Sequence, residues 1–62
     1  MANVMDYCEL LAEEGRLAQE YLEMADTTEN KKAKSDLKKL AKLSTDKMKI
    51  LHAIVKNAPW NV

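Results

Sequence analysis

Two long stretches of this chain repeat apolar residues at heptad spacing, and a single polar cluster separates them. The first runs from Val4 to Asp26 and the second from residue 31 to Asn57. Apolar residues recurring three and four apart mark amphipathic helices. The interruption, Asp26-Thr27-Thr28-Glu29-Asn30, is made of residues whose short polar side chains compete for backbone hydrogen bonds and favour turns and caps. The pattern predicts an all-α chain: helix 4–26, turn 27–30, helix 31–57 and a tail 58–62. Pro59 ends the second helix, and Asn3, with Asp6 three residues on, caps the first. Thr28 and Asn30 both remain candidates for the second N-cap. So short a connection makes the helices antiparallel neighbours, a helical hairpin.

The apolar arcs are too wide for a hairpin alone. On the first helix one stripe is Val4, Cys8, Leu11, Gly15, Ala18, Leu22 and Ala25. A second is Tyr7, Leu10, Glu14, Leu17, Tyr21 and Met24. The second helix carries Ala33, Leu40, Lys47 and Ile54 beside Leu37, Ser44, Leu51 and Ala58, flanked by Ala41, Met48, Val55, Leu43 and Ile50. Two hairpins packed as a four-helix bundle can cover such faces, whereas one cannot. Chain length points the same way. A chain of 62 residues with the single cysteine Cys8 forms no internal disulfide. A core this small rarely supplies more than ~3–5 kcal/mol unaided. A homodimer is therefore expected.

Three polar residues interrupt the arcs at their centres: Glu14 on the first helix, Ser44 and Lys47 on the second. A carboxylate in the middle of a bundle helix is where such folds hold metals. A hydroxyl and an ammonium opposite it do not complete a site, and the cation repels a divalent ion. Three readings stay open for Glu14. It is a structural acid paired with Lys47, with Ser44 between them, or a metal ligand, or a side chain that reaches out to the bundle edge.

The spacing resembles one helical hairpin of the rubrerythrin branch of the ferritin-like superfamily. It rests on Glu14-x6-Tyr21-x3-Ala25 and Leu37-x3-Ala41-x2-Ser44-x2-Lys47-x3-Leu51. In that family the first helix has a Glu ligand seven residues before an aromatic, and the second has an apolar residue, Ala, then Glu-x-x-His. Glu14 matches the ligand and Tyr21 the aromatic, while the Glu and His fall on Ser44 and Lys47. The resemblance implies a ferritin-like four-helix bundle, formed by two copies, with two of the three ligands of each half-site missing. A second likeness, through Thr28-x-Asn30-x-x-Ala33-Lys34, is to short two-helix proteins of unknown function from spore-forming bacteria. It implies a bacterial source and no chemistry.

Charge is divided along the chain. Residues 1–30 hold eight acids against Arg16, and residues 31–62 hold nine lysines against Asp36 and Asp46. An acidic helix beside a basic one gains complementary flanks. With a formal net charge of zero and no aromatics interleaved with the lysines, nucleic acid is not an expected partner. A membrane is not expected either, because no apolar run nears the ~20 residues needed to span one. With no visible signal peptide and a lone thiol, the cytoplasm is the expected setting.

No Gly-rich phosphate loop or triad-like set is visible, so no enzyme activity and no cofactor are expected. Cys8 reads as a small buried hydrophobe, His52 as a surface histidine, and Met24 and Met48 as core filler. Trp60 reads as a cover for the bundle's open end near Val4 and Met5, or as an anchor for a protein partner. The expected role is a non-catalytic structural or partner-binding protein. The alternative is a metal-binding or iron-handling protein using Glu14 across an oligomer.

Overall fold

A computed structural model describes residues 3–57 and contains two α-helices, α1 (Val4–Thr27) and α2 (Lys31–Asn57). At ~1.5 Å per residue they are roughly 36 and 40 Å long. The chain is an antiparallel helical hairpin with no strand among the described residues. Predicted tail residues, Trp60 among them, lie outside the described range.

Local chemistry sets each boundary. Asn3 closes a capping box at the start of α1. Its Oδ1 accepts from the amides of Met5 and Asp6 at 2.9 and 3.3 Å, and Asp6 Oδ2 accepts from the Asn3 amide at 2.8 Å. Amides that have no partner inside the helix are thereby satisfied. At the other end Thr28 leaves helical geometry with φ −77° and ψ 139°, while its amide still donates to Met24 O at 3.0 Å. Thr27, expected in the turn, stays in the helix, and its hydroxyl also donates to Met24 O. Asn30 caps α2, its Oδ1 accepting from the Ala33 amide at 3.0 Å. Thr28 steadies that cap by accepting from the Asn30 amide through Oγ1 at 3.3 Å. No described residue has a positive φ, so the turn forms without glycine.

The interface between the helices is lined with small residues. Ala25, Ala41 and Ser44 are the buried residues among those described. Leu11, Leu17, Tyr21, Leu37, Met48, Leu51 and Val55 are half-buried along the same seam. One neighbouring helix covers only the middle of each apolar arc, and the margins stay open to solvent. Met5, Leu10, Leu22, Met24, Leu40, Leu43, Ile50 and Ile54 are all exposed, Ile50 by 64%. This corrects two expectations: Cys8 is exposed, and Met24 fills no core in the hairpin. Both residues lie at the margins of the α1 arc, beyond the reach of α2.

Polar faces are held by ion pairs one helical turn apart: Arg16 with Glu20 at 2.8 Å, Lys32 with Asp36 at 2.8 Å and Lys42 with Asp46 at 3.3 Å. Exposed pairs of this kind contribute ~0.3–0.5 kcal/mol each. The Lys32 ammonium, donating to the Asp36 carboxylate, holds that carboxyl below its ordinary range.

Candidate interaction site

The antiparallel register is set by two contacts. Lys47 Nζ lies 3.7 Å from Glu14 Oε1, and one residue further along each helix the Met48 side chain packs over Gly15. A Cβ built on Gly15 would stand 3.4 Å from Met48 Cε. Glycine here allows a close approach, and its backbone stays in ordinary helical geometry.

Glu14 and Lys47 therefore meet, but in unequal surroundings. The Glu14 side chain is 17% exposed and that of Lys47 is 64% exposed. Lys47 was expected at a buried central position. Instead it stands on the flank of the seam and bends its ammonium back toward Glu14. At 3.7 Å the contact is an ion pair beyond hydrogen-bond range. The other Glu14 oxygen, Oε2, is buried and has no hydrogen-bond partner. Ser44, 4% exposed, lies one turn from Lys47 and is packed in the seam. A buried carboxylate oxygen without a donor costs about 1–3 kcal/mol or more.

Around this pair lies a broad apolar flank. On α2, Leu40, Lys47 and Ile54 recur every seventh residue with Leu43 and Ile50 between them. On α1, Leu10, Leu17 and Met24 recur in the same way, with Glu14 between the first two. Because Lys47 reaches Glu14, both rows border the same side of the hairpin. Of these apolar residues, all but Leu17 are exposed.

A separate shallow apolar groove is lined by Leu11, Thr45, Met48, Lys49 and His52. His52 is exposed on the lysine-bearing side of α2 and borders this groove. Sequence reading missed it, because the groove depends on the register of the two helices. Thr45, which lines it, donates its hydroxyl to Ala41 O at 3.0 Å. No cluster of three or more His, Cys, Asp or Glu side chains suited to a metal exists among the described residues. No described helix is long and apolar enough to cross a membrane. No family model matches the chain, and neither a curated protein nor a solved structure matches it significantly.

Proposed function

We propose that this hairpin is a non-catalytic assembly module, a small structural or partner-binding protein whose working form is a homodimeric four-helix bundle. The observation that carries the reading is the exposed apolar flank of Leu10, Met24, Leu40, Leu43, Ile50 and Ile54. Soluble monomers rarely leave contiguous apolar patches above a few hundred Å² open to water. A hairpin whose buried residues, among those described, are two alanines and a serine is also short of core. A second copy supplies both deficits at once. The sequence pattern around Glu14, Tyr21 and Ala41 supports placing this bundle among ferritin-like architectures, without a working di-metal site because Ser44 and Lys47 stand where ligands would be. The exposed thiol of Cys8 suits a reducing compartment, and on that basis we place the protein in the cytoplasm.

Thermal unfolding tests the assembly. For an obligate dimer the midpoint depends on protein concentration. Raising the concentration a hundredfold should raise it by several degrees, and a midpoint independent of concentration would defeat the proposal.

A further inference from the structure

The flank allows two symmetric ways of stacking hairpin on hairpin. With the two-fold axis parallel to the helices, both turns lie at one end and α1 of each copy faces α2 of the other. With the axis across the helices, the turns lie at opposite ends and α1 faces α1. We infer that the second copy docks with its turn at the same end, closing an alternating ring of four charges: Glu14, Lys47 and the same two residues of the second copy. The inference rests on the self-assembly reading above and specifies its geometry.

Three observations favour this arrangement. The first is charge. Residues 1–30 carry eight acids against one base, and residues 31–62 carry nine lysines against two acids. Stacking α1 on α1 would set acid against acid and lysine against lysine, whereas α1 on α2 sets opposite signs together. The second is level. Glu14 and Lys47 stand at the same height in one hairpin, 3.7 Å apart. An axis parallel to the helices preserves height, so Glu14 of one copy comes level with the second copy's Lys47. An axis across the helices brings Glu14, near the middle of α1 (Val4–Thr27), close to the second copy's Glu14. Like charges at such a junction disfavour it. The third is unmet bonding capacity. Lys47 is still 64% exposed on the flank to be covered, and Glu14 keeps 17% of its side chain open beside it. An ammonium has three donors and serves two carboxylates. The ring gives each carboxylate a second cation and each cation a second carboxylate. Leu40, Leu43, Ile50 and Ile54, with Leu10 and Met24, enclose it from water.

The exposed residue Glu29 in the turn gives a direct readout. A Cys8→Ser, Glu29→Cys chain carries one nitroxide per copy at the turn. Its mass in solution is measured first, then the label-to-label distance by double electron–electron resonance. Same-end docking predicts a dimer with labels about 20 Å apart, the width of two helix layers with their side chains. Labels about 40 Å apart, the length of a helix, would overturn the arrangement while leaving self-assembly standing. A monomer would overturn both. Ile50→Lys tests the flank without threatening the hairpin, because Ile50 is already exposed. It should weaken the dimer more than tenfold, and an unchanged dissociation constant would show that another surface is used.

Discussion

Lys47 holds its ammonium 3.7 Å from Glu14 Oε1, yet the neighbouring Oε2 is buried with no donor. The two side chains are consequently not equivalent partners. In an isolated hairpin a lysine 64% exposed can swing into water when its partner is removed, whereas a carboxylate 17% exposed cannot. Lys47→Met should therefore destabilise the protein by about 1–3 kcal/mol, because it strands the acid. Glu14→Leu should be near neutral in an isolated hairpin but should destabilise the dimer, where it leaves the enclosed Lys47 without a carboxylate, and the double variant should match or exceed the parent. Denaturant melts at one fixed protein concentration supply the cycle. Simple additivity of the two single changes would show that the pair is uncoupled.

Gly15 offers a second test. Its φ is ordinary, and the atom nearest a new Cβ is the Met48 methyl carbon at 3.4 Å, the free end of a flexible chain. Gly15→Ala should gain roughly 0.5–1 kcal/mol from the lower backbone entropy of the unfolded chain. A loss measured by denaturant unfolding would mean that Met48 cannot give way and that the Gly15 approach is tighter than the structure indicates.

Metal content follows from the chemistry of the polar cluster. The parent chain should retain no stoichiometric iron, manganese or zinc after dialysis, since Lys47 brings a positive charge to Glu14. Ser44→Glu with Lys47→His supplies the missing ligand types and should create affinity, read by elemental analysis. One retained metal per chain or per dimer in the parent, lost in Glu14→Ala, would favour the metal-binding alternative. Failure of the double variant to bind would count against the ferritin-like register.

Asp36 gives the pH dependence. Its folded pKa is lowered by the hydrogen bond and charge of Lys32. The sign is that of a depressed carboxyl. Its contribution is fully present above the unfolded value near ~3.9 and is lost as pH falls through the lower folded value. Carbon-detected NMR titration should show Asp36 titrating below the ordinary carboxylate range, and Lys32→Met should return it toward that range. An unchanged titration in the variant would remove Lys32 as the cause.

The helices are legible in the sequence because their signals are local. Apolar residues three and four apart, the Asn3 and Asp6 cap, and the Thr28 and Asn30 turn act over about one helical turn, and the structure uses each of them. Burial was less legible, because it depends on how many helices cover an arc. Cys8 and Met24 belong to apolar stripes by spacing, but a single neighbour leaves both at the open margin. Lys47 sits on a heptad stripe by the same logic, yet the centre of the seam passes through Leu37, Ala41 and Ser44, a quarter-turn away. The Met48–Gly15 contact and the groove beside His52 depend on helix register, which pattern alone does not fix.

Sedimentation equilibrium on the parent chain at micromolar concentration tests the central claim most directly. The account predicts a mass of about twice the 7.1 kDa chain, falling toward one chain in Ile50→Lys while helical content is retained. A parent chain that sediments as a folded 7.1 kDa monomer would contradict it, for then the apolar flank is stable in water without a second copy.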